Sequence, residues 1–154
     1  MFKNYSHFKE LKSYMSHFLD EKSSWSYWTD EACDRACEIM AEFTDRDWIE
    51  MKEKISAQPM VFKRKVTDCL GQANHPAALD ILLMLVDTDD MQLFRDVVGA
   101  LCEYFPDYRE KIAAHKEIET KINSIYDECS NVSKYTYSSF LHELHGDTIE
   151  NPVS

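Results

Sequence analysis

The sequence predicts an all-α protein in which seven or eight helices form a stack of antiparallel hairpins. Three observations support this fold class. Apolar residues recur every three or four positions along almost the whole chain of 154 residues. The 3 Gly and 4 Pro leave few positions for the tight turns of a β-sandwich or barrel. Two neighbouring segments also share one apolar pattern at a fixed offset of 31 residues.

Four helices are predicted in the N-terminal half. The first covers residues 5–20 and the second residues 30–43, where apolar residues recur at helical spacing. Asp45 is the expected N-cap of the third helix, because a carboxylate accepts hydrogen bonds from the free N–H groups of a first turn. Pro59 ends the third helix or opens the fourth, since proline suits a first helical turn. The fourth helix is expected to end near Gly71, because glycine suits a C-terminal cap.

Four further helices are predicted in the C-terminal half. An acidic turn separates the fifth from the sixth, and Pro106 is expected to end the sixth. A long seventh helix covers residues 107–129, with His115 in its inward stripe. The last helix covers residues 134–145 and stops at Gly146. A single domain is therefore expected over residues 1–146, followed by a tail at 147–154 that has too little apolar content to fold alone.

The repeat with an offset of 31 covers the third to the sixth helix. Seven apolar positions align in register over two helices. A period of this length indicates stacked helical repeats, in which neighbouring hairpins share one continuous core. The aligned pairs are Trp48 with Leu79, Met51 with Leu82, Ile55 with Val86, Phe62 with Leu93, Val66 with Val97, Cys69 with Ala100, and Leu70 with Leu101.

The segment "PAALDILLMLVDTDDMQLFRDVVGAL" resembles a HEAT-type repeat, and the resemblance is clearest over residues 45–105. It implies a right-handed stack in which the second helix of each pair lines the inner surface. One position departs from the family pattern: the arginine expected directly after Leu93 comes one residue later, at Arg95. The turn before this helix is therefore expected to be reshaped.

The charge balance restricts the class of partner. The chain carries 17 Lys and Arg against 28 Asp and Glu, a net charge of −11. Neither a nucleic acid nor an anionic membrane surface is expected as a partner, because both attract basic proteins. A basic protein would be attracted. The sequence shows no export signal, so we expect a cytoplasmic protein whose 5 Cys are reduced.

The stretch "WIEMKEKISAQPMVFKRKVTDCLGQANHPAALDILLMLVDTDD" resembles small HEAT-like immunity proteins of bacterial polymorphic-toxin and contact-dependent growth inhibition systems. A Trp-led helix, a proline-marked second helix and a third helix of the form "HP-LLML-D" recur there. The resemblance implies a cytoplasmic inhibitor that binds one toxin domain, often a basic nuclease. The alternative is a non-catalytic adaptor or scaffold for a cellular protein. An enzyme is not expected, because no phosphate-binding loop, dinucleotide fingerprint or nucleophile motif is present.

Nine residues are predicted to contact the partner, seven of them acidic and two aromatic. The acidic turn between the fifth and sixth helices is the densest group, since unpaired carboxylates are costly to bury. An alternative role for a turn aspartate is to cap the sixth helix, and the aromatics could instead form a local cluster. The predicted contacts are Asp87, Asp89, Asp90, Asp96, Glu103, Glu38, Glu42, Trp25 and Trp28.

No metal site and no cofactor are expected. Cys33 and Cys37 lie four residues apart on one helix face, but no CxxC pair or matching His–Cys spacing accompanies them. Small buried cysteines explain this pair. His142 and His145 lie near a helix end, where histidine is favoured by the helix dipole.

Overall fold

The computed structural model describes residues 5–19, 28 and 32–146, and within these ranges the chain is all-helical without a β-strand. None of the helices in these ranges is long and apolar enough to cross a membrane. The predicted tail at 147–154 lies outside the described residues. The α-helices are α1 (His7–Met15), α2 (Cys33–Ala41), α3 (Asp45–Lys54), α4 (Met60–Ala73), α5 (Pro76–Leu85), α6 (Met91–Leu101), α7 (Phe105–Ala113), α8 (Lys116–Ile125) and α9 (Asn131–His145).

The helices pack in two layers. Helices α2, α4, α6 and α9 contact one another in that order, and we call them the front layer. Helices α1, α3 and α5 contact one another in sequence behind it and form the back layer. Each of the hairpins α1–α2, α3–α4 and α5–α6 thus places its first helix at the back and its second at the front. This arrangement matches the predicted stack of hairpins.

The predicted repeat coincides with the core. Of the fourteen residues in the seven aligned pairs, thirteen are buried and only Ala100 is half-buried. Gly71 has a packing role at this point, because a Cβ at its position would lie 3.1 Å from the Cβ of Ala100. The missing side chain lets α4 and α6 approach closely. Because α4 continues to Ala73, Gly71 lies inside the helix, and the prediction that it caps this helix is wrong.

Two helix ends in the repeat region differ from the predictions. Thr44, not Asp45, is the N-cap of α3: its side chain accepts from the N–H of Asp47, and the Asp47 carboxylate accepts from the N–H of Thr44 at 2.8 Å. This reciprocal capping box satisfies two free N–H groups at once. At the end of α4 the residue in the left-handed conformation is Asn74, with φ of 50°. Asparagine is the residue that most often replaces glycine there.

The predicted long seventh helix is two helices. Pro106 does not end a helix but lies in the first turn of α7, where its missing N–H is not needed. The chain breaks again at His115, which is the N-cap of α8 and is partly exposed, so its predicted place in an inward stripe is wrong. The last helix starts at Asn131, slightly before the predicted 134, and Gly146 caps it in the left-handed conformation as predicted.

Candidate partner-binding groove

A groove of about 610 Å³ runs across the front layer and is lined by residues of α2, α4, α6 and α9. Four carboxylates face it: Asp34 of α2, Asp68 of α4, Asp96 of α6, and Glu103 in the 3-10 turn that continues α6. We call this surface the acidic groove. In a chain of net charge −11, it concentrates negative charge on a concave face, where low-dielectric walls focus the field.

Helical periodicity places these side chains in the groove. On α4, Phe62, Val66 and Leu70 are buried at four-residue spacing. Asp68 and Gln72 are also four residues apart and therefore share another face of the same helix, which lines the groove. The core stripe of each front helix thus fixes the direction of its polar stripe.

Asp96 is held by two arginines. Its Oδ2 atom lies 3.1 Å from Nε of Arg64 on α4, and its Oδ1 atom lies 3.7 Å from Nε of Arg95 on its own helix. The Arg64 pair joins adjacent helices of the front layer. Part of the Asp96 charge is therefore balanced inside the protein, whereas Asp34 and Glu103 are exposed and have greater freedom to meet a partner.

Asp68 is the groove carboxylate with the most altered acidity. Its Oδ2 atom accepts a hydrogen bond from Nε1 of Trp28 at 3.2 Å, which favours the ionised form. Asp68 is exposed at the residue level, but neighbouring groove atoms displace part of the water around its carboxylate. This desolvation outweighs the hydrogen bond and raises the pKa of Asp68 to about 6.

The predicted contact residues do not form one surface. Asp96 and Glu103 line the acidic groove. Glu38 lies one turn beyond Asp34 on α2, on the same helix face, and its carboxylate pairs with Arg35 at 3.2 Å. Glu42 is exposed just after the end of α2 and is not among the residues that line the groove.

The acidic turn between α5 and α6 has a structural component. Asp90 is the N-cap of α6, and its Oδ1 atom accepts from the N–H of Leu93 at 2.8 Å. The N–H of Asp90 itself donates to Oγ1 of Thr88 at 3.1 Å. Asp87 and Asp89 are exposed. None of the three aspartates lines the groove, so the turn is a separate acidic feature.

The two predicted aromatic contacts are Trp25 and Trp28, and only Trp28 lies within the described residues. Trp28 is fully buried and packs near Phe18, with ring centroids 6.1 Å apart. The prediction that Trp28 contacts a partner is therefore wrong, because its large apolar surface is used in the core. Trp25 lies outside the described residues.

Asp34 and Asp68 are groove residues that were absent from the predicted contacts. Their signal in the sequence is a polar stripe on the second helix of a hairpin, visible as Asp34 with Glu38 and as Asp68 with Gln72. Val132 of α9 extends the same region: it is 66% exposed and lies one turn before Thr136, which lines the groove. An exposed apolar residue there could provide a non-polar contact at the edge of the acidic surface.

Three thiols form a cluster between α2 and α4. The Sγ atom of Cys33 lies 3.9 Å from that of Cys37 and 4.0 Å from that of Cys69. The three sulfur atoms all lie within 4.8 Å of one another, and no other group of three His, Cys, Asp or Glu side chains in the described ranges is arranged to hold a metal ion. Sequence spacing did not reveal Cys69 as the third member, because it comes from another helix.

The three neighbouring thiols have different pKa values. A hydrogen bond from Cys33 lowers the pKa of the Cys37 thiol, while the same contact raises the pKa of Cys33. Cys69 is fully enclosed, and the contact with Cys33 together with burial raises its pKa. Cys37, the member whose thiol pKa is lowered, is also the half-buried one.

The predicted histidine pair does not form a metal site with a third ligand among the residues that the structure describes. His142 and His145 occupy the last turn of α9, as predicted for residues that favour a helix C-terminus. Nε2 of His145 lies 3.0 Å from a carboxylate oxygen of Glu119 on α8. This contact ties two helices together at the surface.

Comparisons with protein-family models, with curated proteins and with solved structures found no significant match. The resemblances to HEAT-type repeats and to immunity proteins therefore rest on the sequence pattern alone. The all-helical fold and the geometry of the groove rest on the structure.

Proposed function

We propose that this chain is a cytoplasmic immunity-type protein that binds and neutralises a cognate toxin domain, and that the target is a basic surface of a nuclease-type toxin. The observation that carries the proposal is the acidic groove, which gathers carboxylates from three helices on one face. Nucleases bind the phosphate backbone with Lys and Arg, and these side chains are complementary to such a groove.

The groove suits a protein partner in shape as well as in charge. It is open, about 610 Å³ in volume, and built on four helices packed side by side. Such a surface accepts a protruding loop with basic side chains, while its own geometry is held by the core. Asp34 and Glu103 stand on different helices of the groove and would contact different parts of that loop.

Neutralisation would follow from occupation of the toxin's own cationic site. Lys and Arg side chains that hold substrate phosphate would instead pair with the groove carboxylates. Charge complementarity would speed association over long range, and contact with Val132 at the edge would add apolar burial. The reaction of the toxin would then be blocked without any catalysis by this chain.

The test is neutralisation of the toxin domain encoded directly before this gene, the usual position in an immunity pair. We expect cells that express the toxin domain alone to stop growing, and co-expression of this chain to restore growth. Failure of the unmodified chain to restore growth or to bind that domain contradicts the proposal and favours an adaptor with another partner.

Charge-reversal variants locate the contact. Asp34→Lys with Glu103→Lys should weaken toxin binding by about 100-fold or more, slow association and reduce its salt dependence, because both carboxylates face the groove. The matched control, Glu53→Lys with Glu110→Lys, changes the net charge equally at exposed positions outside the groove. Calorimetry and stopped-flow kinetics at low and high salt would measure both.

A second pair of substitutions tests the acidic turn. Asp87→Lys with Asp89→Lys alters exposed carboxylates without removing the Asp90 cap. If the groove is the contact surface, this pair should weaken binding much less than the groove pair. A larger loss with the turn pair would move the interface to the α5–α6 turn.

A further inference from the structure

Three cysteine side chains meet at the contact between α2 and α4: Cys37 is half-buried, and Cys33 and Cys69 are buried. Cys37 and Cys69 line a cavity of about 250 Å³ together with Gln72 and His75, while Cys33 lines the acidic groove. Each of the three is a free thiol.

We propose that Cys33, Cys37 and Cys69 form a binding site for a thiophilic d¹⁰ metal ion, Zn²⁺ or Cu⁺. Thiolates are the ligands that select these soft or borderline ions over Mg²⁺ and Ca²⁺. The proposal is independent of the toxin-binding function.

The sulfur geometry fits such an ion. With two separations of 3.9 and 4.0 Å and a third of at most 4.8 Å, the point equidistant from all three sulfurs lies no more than about 2.5 Å from each. The usual Zn–S distance is about 2.3 Å. Small side-chain adjustments therefore suffice to bring the three sulfurs to bonding distance.

The protein offers three ligands and leaves a fourth position open. His75 lines the adjacent cavity, but its Nδ1 atom accepts a hydrogen bond from the N–H of Ala77 at 3.0 Å. The proton of the neutral ring is then on Nε2, so neither ring nitrogen is free to bind a metal. Zn²⁺ would complete its shell with a water from the cavity, whereas Cu⁺ is satisfied by three sulfurs.

Binding would release protons and join two helices. Each thiol that binds loses its S–H proton to solvent, and the sulfur electron pair forms the bond to the metal without any change in oxidation state. Asp34 and Asp68 lie close enough to disfavour extra negative charge on Cys37, and a bound cation would offset that repulsion. Gln72 donates from its amide to the Cys33 sulfur at 4.0 Å and would support the ligand from outside.

The experiment uses the full chain, reduced and freed of metal, titrated with Zn²⁺ against a chromogenic chelator and with Cu⁺ against a Cu⁺-specific chelator. We expect one equivalent to bind, with release of protons and a rise in Tm. Co²⁺ serves as a spectroscopic substitute, and sulfur-to-metal charge-transfer absorption would identify thiolate ligands.

Cys37→Ser is the main variant, because this half-buried residue is the easiest of the three to replace without disturbing the core. We expect it to weaken binding by about 100-fold or more, beyond the loss typical for an outer-shell residue. The matched control is Cys129→Ser, a half-buried thiol outside the cluster that donates to the carbonyl of Ile125.

Circular dichroism would confirm that both variants fold. Binding of one Zn²⁺ or Cu⁺ that is lost in Cys37→Ser and retained in Cys129→Ser supports the site, and the two chelator titrations decide which ion it prefers. Absence of uptake by the unmodified chain, or an equal loss in both variants, overturns the proposal.

Discussion

Hairpin α3–α4 and hairpin α5–α6 begin their helices at equivalent positions, 31 residues apart. Thr44 and His75 are the N-caps of the first helices, and Pro59 and Asp90 are the N-caps of the second. The buried apolar positions follow the same offset. The two hairpins therefore share their helix starts, a register and a core, although few of their residues are identical and α6 is shorter than α4.

The caps show how different chemistry fills the same position. Thr44 uses a hydroxyl and His75 a ring nitrogen, and both accept a hydrogen bond from the first turn of their helix. Pro59 provides no side-chain acceptor, whereas Asp90 accepts from the N–H of Leu93. A helix start needs its N–H groups satisfied, but several residue types and water can do this.

The polar positions of α4 and α6, the second helices of the two hairpins, differ more than their caps do. Lys65 and Asp96 are equivalent positions, yet Lys65 is buried and donates to the backbone oxygen of Phe18, while Asp96 faces the groove. Asp68 corresponds to Gly99, so the first hairpin supplies a carboxylate where the second has no side chain. Apolar positions at this offset therefore maintain the stack, whereas polar positions are free to build a site.

The prediction with the largest expected effect asks whether matching core positions of the two hairpins contribute equally to the free energy of unfolding. Leu70→Ala and Leu101→Ala remove fully buried side chains at matching positions, and each should lower the free energy of unfolding by about 2–5 kcal/mol. Urea denaturation would measure both. Val132→Ala, at a position 66% exposed, is the control and should change stability by less than about 0.5 kcal/mol. A similarly small loss at either leucine would break the equivalence.

The core and the helices could be predicted because they depend on neighbouring residues. Apolar residues at four-residue spacing, such as Val66 with Leu70 and Val97 with Leu101, indicate both a helix and its buried face. The break at His115 was missed because the apolar spacing continues on both sides of it. A helix end that depends on a single residue, such as Asn74, is likewise hard to predict from the sequence.

The site was only partly predictable. The resemblance to a HEAT-type stack implied that Asp96 and Glu103 lie on the inner surface, and both line the groove. Cys69 could not be joined to Cys33, because 36 residues separate them and their contact depends on how α2 packs against α4. Trp28 shows the opposite error, since an aromatic-rich segment gives no direction for each side chain.

A smaller effect tests the difference between the two second-helix caps. Asp90→Ala removes the acceptor for the N–H of Leu93 and should lower the free energy of unfolding by about 1 kcal/mol. The neighbouring Asp89→Ala is the control, because Asp89 is exposed and is not the cap. Thermal or urea unfolding would compare them. Equal stability of the two variants would mean that water replaces the cap without cost.

The smallest expected effect concerns Asp68, the carboxylate that has no counterpart in the second hairpin. Desolvation raises its pKa in the folded protein from 3.8 to about 6, so between these values the folded state binds more protons than the unfolded state. Its contribution to stability must therefore fall as the pH rises from about 4 to about 6. Asp68→Asn removes this titration and keeps an oxygen that can accept from Nε1 of Trp28.

We therefore expect Asp68→Asn to be more stable than the unmodified protein at pH 7, by about 1 kcal/mol or less because solvent in the groove screens the charge, and to lose this advantage near pH 4. Urea denaturation at several pH values would measure the difference. Asp89→Asn controls for the loss of one negative charge at an exposed position outside the groove. A stability difference for Asp68→Asn that stays constant from pH 4 to pH 7 would show that the groove does not desolvate Asp68. The two hairpins would then differ in charge at this position, but the charge would not lower the stability of the fold.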